Sequence, residues 1–263
     1  MEKGSIFAQP MNKERGITIK SPRELEFMRE AGKVVANIKK ELIESIKPGM
    51  KTQELDDIAV ECIQSMGAKP SFKGYLGFPR TICVSINEEI VHGIPGERII
   101  RDGDLVKMDV GAVVGGFHGD SAITVGVGSI SKEAENLISV TETALEIGIA
   151  EAKNNARIGD ISQAIQTYIE GKGLSVVRQY VGHGIGKALH EEPQIPNFGY
   201  QGTGPILRKG MVIAIEPMVN LGGWETEVLG DNWTVVTADG SLSAHFEHTL
   251  AITDGDAEVL TRI

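Results

Sequence analysis

The two halves of this chain can be laid over one another, and that overlap restricts the architecture more than any single element does. An offset of 106 residues superposes Leu55 on Ile161, Ala59 on Ile165, Ile63 on Ile169 and Gly67 on Gly173, so a second and a fourth helix match. An offset of 107 superposes Arg101-Asp102-Gly103-Asp104-Leu105-Val106 on Arg208-Lys209-Gly210-Met211-Val212-Ile213, and in the same register Asp109 falls on Glu216. One strand later, Asp120-Ser121-Ala122-Ile123 aligns with Glu247-His248-Thr249-Leu250 at an offset of 127. Apolar positions often coincide by chance, so the recurring acids carry the weight. Each half offers two acids on successive strands.

Local signals set these acids among groups of helices and strands. Ser21-Pro22-Arg23-Glu24 combines an N-cap serine, a proline at the first helical position and a glutamate at the third, and it opens a periodic run that Pro48-Gly49 stops. Further helices are expected after Thr52, after Ser131 and from Asp160. Strand-like stretches cover 81–86, 105–114, 122–127, 174–181, 211–219 and 233–253, the last interrupted by the turn Asp239-Gly240. The fold class is therefore α/β or α+β. Residues 1–16 show no periodicity and read as a loosely ordered extension, leaving 17–263 as one domain built of two pseudo-symmetric halves.

Charge narrows the function. With 26 Lys+Arg against 36 Asp+Glu the net charge is −10, which argues against a grip on nucleic-acid phosphates and suits a carboxylate site that takes cations or amines. The longest apolar run in the first twenty residues, Ile6-Phe7-Ala8, is too short for a signal peptide, and no stretch approaches the ~20 residues of a membrane span. Cys62 in a helical pattern and Cys83 in a strand pattern read as reduced residues of a cytoplasmic protein.

Asp109 lies in Val106-Lys107-Met108-Asp109-Val110, Glu216 in Ile213-Ala214-Ile215-Glu216-Pro217-Met218 and Glu247 in Phe246-Glu247-His248-Thr249-Leu250. One such acid would ordinarily sit on the solvated face of its strand. Four at symmetry-related places are different: gathered together they repel and lose hydration, at several kcal/mol per ion unless compensated. Cations are scarce nearby, and Lys107 is expected to point to the opposite face. Two divalent ions would neutralise the four charges, since carboxylates bridge metal pairs roughly 3.5 to 4 Å apart. An oxygen-rich shell with at most one imidazole favours Mn, Fe or Co, with Zn also admissible.

Six histidines compete for the remaining roles. Strand alternation puts His118 two residues before Asp120 and His245 two before Glu247, so both are credible ligands by geometry, whereas His248 should face away. His92, His183 and His190 lie among glycines and prolines that mark loops or strand ends, where catalytic residues concentrate, although an ordinary loop histidine is equally compatible.

Taken together, Val91-His92-Gly93-Ile94-Pro95, Asp102-Gly103-Asp104-Leu105-Val106, Gly116-Phe117-His118-Gly119-Asp120, Gly182-His183-Gly184-Ile185-Gly186, His190-Glu191-Glu192-Pro193, Ile215-Glu216-Pro217-Met218 and Phe246-Glu247-His248-Thr249 resemble the type I methionine aminopeptidases, from about Ile17 to the C-terminus and in the right order. The resemblance implies a pita-bread fold: a curved, mainly antiparallel sheet with pseudo-twofold symmetry, helices on its outer face and a dinuclear metal centre in the middle. It implies Asp109, Asp120, His183, Glu216 and Glu247 as ligands, so that His183 takes the place that alternation offered to His118 or His245. It sets His92 beside the scissile amide, His190 at its carbonyl oxygen, and a methionine pocket of Tyr75, Phe78, Cys83, Leu189 and Trp233 with Phe72 near the rim. Gly111 occupies a position that carries a hydroxyl in some relatives.

The implied reaction is removal of the N-terminal methionine from nascent chains, with a small uncharged second residue preferred. The two ions (Co, Mn, Fe or Zn) would supply an acidified water and hold the free α-amine, and Glu216 would accept the water proton. The expected partners are methionine-initiated chains, with the work done at the ribosome by a monomer of the short bacterial-type subclass that touches neither nucleic acid nor membrane. Three alternatives compete. An Xaa-Pro aminopeptidase of the same fold usually carries a large additional N-terminal domain, a non-catalytic binding protein would have lost ligands that are all filled here, and a phosphohydrolase would want a basic phosphate clamp.

Overall fold

The structure, a computed structural model, describes residues 16–262. Apart from Gly16, the segment read as a loose extension lies outside the described residues. The first half runs α1 (Pro22–Ser45), α2 (Thr52–Ser65), β1 (Lys69–Pro70), β2 (Ile82–Ile86), β3 (Glu89–Val91), β4 (Leu105–Val114) and β5 (Phe117–Gly126). The second runs α3 (Lys132–Glu151), α4 (Ile158–Gly171), β6 (Ser175–Val176), β7 (Gly182–Gly184), β8 (Glu191–Ile195), β9 (Val212–Ile215), β10 (Met218–Asn220), β11 (Thr226–Val228), β12 (Val235–Thr237), β13 (Ser243–His245), β14 (His248–Ala251) and β15 (Glu258–Val259).

The repeat reappears as strand pairing. In the first half β4 is flanked antiparallel by β2 and β5; in the second, β9 is flanked antiparallel by β7 and β14. Two helices cover each triplet. Val35, Ile38, Leu55 and Ile63 of α1 and α2 pack with Ile82, Val84, Met108 and Val110, while Leu137, Leu145, Ile161 and Ile165 of α3 and α4 pack with Ile213, Ile215 and Leu250. Each helix pair hides one sheet face and leaves the other for the site, which is why near-continuous apolar runs such as 82–86 are buried throughout.

α1 begins as expected: Ser21 Oγ accepts the Glu24 amide at 3.4 Å and the Glu24 carboxylate accepts the Ser21 amide at 2.9 Å. α4 starts two residues before the expected Asp160, because that carboxylate caps the helix by accepting the Arg157 amide at 2.7 Å. β5 starts at Phe117 instead of Ala122, since Gly115 and Gly116 adopt φ of 59° and 83° and close a tight two-residue turn with β4. The expected strand 174–181 shrinks to β6. The expected 211–219 splits at Pro217, which has no N–H with which to continue a ladder, and 233–253 breaks a second time at Phe246-Glu247.

The halves meet along β5, β13 and β14 through threonine hydroxyls as well as a backbone bond. Thr124 Oγ1 accepts the His245 amide at 2.8 Å and donates to the His245 carbonyl at 2.7 Å. The Glu247 amide donates to Ala122 O at 3.0 Å.

Candidate active site

All four acids reach one place. Asp109 on β4 faces Cys83 of β2 and Ala122 of β5 across the ladders, and Asp120 lies further along β5. Glu216 and Glu247 occupy the two chain breaks that follow β9 and precede β14, so neither is tied into a regular ladder. Ligand atoms of Asp120, Glu247 and His183 lie within 4.8 Å of one another. The Glu216 Oε1 is 3.7 Å from His183 Nε2, and the Asp109 carboxyl interacts with that of Asp120. Oδ1 of Asp109, Oδ1 of Asp120 and Oε1 of Glu247 are buried with no hydrogen-bond partner. Buried oxygens left this way cost free energy, and divalent cations are the partners whose charge and oxygen preference suit them. The residues therefore fit the metal pair that the motifs imply.

Electrostatics agrees. Burial pushes the Asp109 carboxyl up to about 7, and burial plus neighbouring carboxylates hold Asp120, Glu216 and Glu247 well above the usual carboxylate range. Burial draws His183 down to about 4, so its imidazole is already in the neutral form that a metal needs. Its Nδ1 faces Gly184 O at 2.9 Å, which turns the Nε2 lone pair towards Glu216 and Asp120.

Two further histidines stand over this floor. His92 has φ of 61°, a left-handed conformation uncommon outside glycine, and its ring meets Tyr180 edge-on with centroids 5.7 Å apart. His190 lies 4.3 Å from the His183 ring, and its Nδ1 is 2.7 Å from the Tyr75 hydroxyl. Burial keeps the Tyr75 phenol protonated beside Nδ1, and the His190 tautomer that accepts from it there carries its own proton on Nε2. His190 itself is held well below its ordinary value by burial and neighbouring imidazoles, and thus stays neutral.

A single cavity is lined by Phe72, Tyr75, Phe78, Cys83, His92, Asp109, Asp120, His183, Leu189, His190, Glu216, Trp233 and Glu247. These are the thirteen side chains singled out from the sequence and its resemblance. Phe78 and Trp233 form an edge-on pair at 5.0 Å. Phe72 is coupled to Gly111: a Cβ there would come within 2.7 Å of the Phe72 ring and of Ser71, so the aromatic rim occupies space that a hydroxyl-bearing side chain would need. A larger open cleft beside Lys20, Glu24, Lys187, Glu191 and Glu192 pairs Lys20 with Glu191 at 2.9 Å and Lys187 with Glu24 at 3.7 Å, and lies apart from the four converging acids.

The candidates offered by alternation end elsewhere. His118 is 2.9 Å from Ser71 Oγ and does not line the cavity. His245 lies behind Glu216, Nε2 to Oε2 at 3.7 Å, also outside the cavity lining. His248 faces away, as expected, with Nδ1 at 2.8 Å from Thr261 Oγ1. The expectation for Lys107 needs correction: alternation along continuous β4 sets it on the same face as Asp109, but its ammonium is taken by Asn87 O at 2.6 Å and Ser243 O at 2.9 Å. Two residues were missed. Asn197 donates through Nδ2 to Glu216 O at 2.9 Å, and buried Lys39 on α1 points its charge at the acids. The available signal for Lys39 was its place on the apolar stripe of α1, between Ile38 and Leu42.

A sheet-bound acid cluster facing an aromatic pocket is the site of a metallopeptidase. The pattern of metallopeptidase family M24 matches residues 26–254, and the chain belongs to that family. It is 56% identical to methionine aminopeptidase 1 of Bacillus subtilis (strain 168) over 247 residues, which cover 94% of this chain and 100% of the relative. It superposes on a crystal structure of methionine aminopeptidase from Thermotoga maritima with a TM-score of 0.93 at 47% identity, covering 94% of this chain and 100% of that one. These likenesses place it in the methionine aminopeptidase branch and identify the architecture as the pita-bread fold. Prolidase from Pyrococcus furiosus shares the fold alone: the TM-score is 0.77 at 23% identity, and the match covers 93% of this chain but 65% of that one.

Proposed function

We propose that the cavity removes the N-terminal methionine of newly made chains by metal-assisted hydrolysis of their first peptide bond. The observation that carries this is the convergence of four carboxyls and His183, with buried oxygens unpartnered, on the floor of a pocket shaped by Tyr75, Phe78, Cys83, Leu189 and Trp233. The relatives named for that activity support it.

Asp109, Asp120, His183, Glu216 and Glu247 would hold two divalent ions, which when bound acidify a water and polarise the scissile carbonyl. The chain's own groups do the rest. His190, with its proton on Nε2, donates to the carbonyl oxygen as negative charge develops there. Glu216 takes the water proton and returns it to the leaving amine, while His92 hydrogen-bonds the scissile nitrogen. The methionine side chain enters the aromatic pocket beside Cys83, where sulfur-to-ring contacts add about 0.3 to 1.5 kcal/mol each. A narrow exit beyond that pocket favours a small uncharged second residue. Co, Mn, Fe and Zn are the ions that suit such a donor set.

We also read 17–263 as one catalytic domain, acting as a cytoplasmic monomer on chains leaving the ribosome. Cys62 and Cys83 are both free thiols, in keeping with a reducing compartment, and no helix among the described residues is long and apolar enough to cross a membrane. Comparing Met-Ala-Ser, Ala-Pro-Phe and a phosphate ester, before and after chelation, tests the reading. Metal-dependent hydrolysis of the first peptide alone is expected; turnover in a metal-free preparation, or preference for either of the others, overturns it.

A further inference from the structure

One buried charge remains unused by this chemistry. Lys39 is 7% exposed, on the core-facing side of α1. An ammonium withdrawn from water costs several kcal/mol unless fixed partners replace its hydration. Its Nζ donates to Ser121 Oγ at 2.5 Å, and Ser121 Oγ donates in turn to the carbonyl oxygen of Glu247. The Glu247 amide is held by Ala122 O at 3.0 Å, so the backbone is fixed on both sides of the Glu247 Cα. Ser121 also directly follows Asp120. One hydroxyl therefore connects Lys39 to the backbone of two acids, one from each half. Burial draws the Lys39 ammonium down to about 8, which leaves it a cation at neutral pH; Glu247, Asp109 and Asp120 attract its charge and Arg262 opposes it, whereas Lys107 is committed to two carbonyl oxygens.

We propose that Lys39 is a charge-compensating residue of the metal centre, a resident cation anchored through Ser121 beside Asp120 and Glu247 that offsets the converging carboxylates before divalent ions load. The inference rests on the metal-site reading above. Ammonium and metal ions are then alternative counter-ions for the same acids, so their effects oppose one another. Removing Lys39 should harm the metal-free protein, where the acids lose a compensating charge, more than the metal-saturated one, where the ions already supply it. By linkage, the variant must bind metal more tightly.

The test uses the full chain with Lys39→Gln, Lys39→Met and Lys39→Arg beside the wild type, each stripped with chelator and then titrated with Mn²⁺. Thermal midpoints are measured in both states, and the Kd from the electron paramagnetic resonance signal of free Mn²⁺. Gln and Met should lower the midpoint of the metal-free protein more than that of the loaded protein and tighten Mn²⁺ binding roughly fivefold or more, while Arg keeps wild-type values. Variants that fold only with Mn²⁺ present would also support the proposal. Equal losses in both states with an unchanged Kd, or failure of both Gln and Met variants to fold in either state, would reduce Lys39 to a packing role and overturn it. A wild-type protein indifferent to Mn²⁺ would instead overturn the metal site itself.

Discussion

The hydroxyl of Thr249 receives the amide of Asp120 at 3.0 Å and donates to the carbonyl of the same residue at 2.7 Å. Thr124 treats His245 in the same way four residues further along the seam. Each threonine adds a side-chain rung between β5 and the β13–β14 segment, beside the backbone bond from the Glu247 amide to Ala122 O. The seam therefore fixes how closely Asp120 from one half approaches Glu247 from the other.

Replacing Thr249 by Val keeps the side-chain shape and deletes this double bond. Each buried Asp120 backbone group left without a partner should cost about 1 to 3 kcal/mol, read from urea melts of the metal-free protein. Metal affinity should fall about tenfold or more, because Asp120 loses its anchor. Unchanged melts would show that the seam is held by other bonds.

Metal binding should strengthen with pH in a defined window. The carboxyl of Asp109 is raised to about 7 and those of Asp120, Glu216 and Glu247 are held well above the usual carboxylate range, against values near 4 in an unfolded chain. Metal-free native protein therefore binds more protons than the unfolded chain above about pH 4, so the acids' contribution to stability is present below that pH and is lost as pH rises through 7. His92 and His183, drawn down to about 4, act in the opposite sense, but only below about 6.5. Bound ions require ionised carboxylates, so between pH 6.5 and 8 the Mn²⁺-induced gain in stability should rise by about 1.4 kcal/mol per pH unit for each proton displaced. Denaturant melts with and without Mn²⁺ across this range measure it; a flat gain would mean the acids are already ionised in the metal-free protein.

His92→Ala should separate catalysis from metal retention. The ring lines the cavity on a left-handed backbone and is not among the residues that cluster at ligand distance. Loss of a positioned hydrogen-bonding group should lower kcat by about 10²- to 10⁴-fold, with metal content by elemental analysis near wild type. Equal loss of both would make His92 a ligand.

Trp233→Ala should act on binding. It removes the edge-on partner of Phe78, a pair worth about 0.5 to 1.5 kcal/mol beyond its buried area, and opens one wall of the pocket. The KM for Met-Ala-Ser should rise several-fold with kcat less affected; a fall in kcat alone would place Trp233 in the chemistry.

The reading from sequence reached unevenly into the structure. The four helices and the acid-bearing strands were visible because capping residues, Pro-Gly stops and apolar periodicity are local. Pro217 was in plain view, yet a continuous apolar run concealed that it would break the ladder and free Glu216. Alternation offered His118 and His245 as ligands on the face of Asp120 and Glu247, but it could not say that Ser71 would take one ring and that the other would fall behind Glu216. The same rule should have set Lys107 on the Asp109 face, although only the carbonyls of Asn87 and Ser243 explain why its charge does not serve the acids.

Sequence by itself determined the duplicated plan, the four helices and the four acids at matching places, since periodicity, capping and repeats act over short distances along the chain. Tertiary structure alone decided which histidine joins those acids, that Thr124 and Thr249 stitch the halves together, and that Lys39 lies buried beneath them. Those outcomes depend on contacts between residues far apart along the chain, where distance and burial select among side chains that local pattern leaves equivalent.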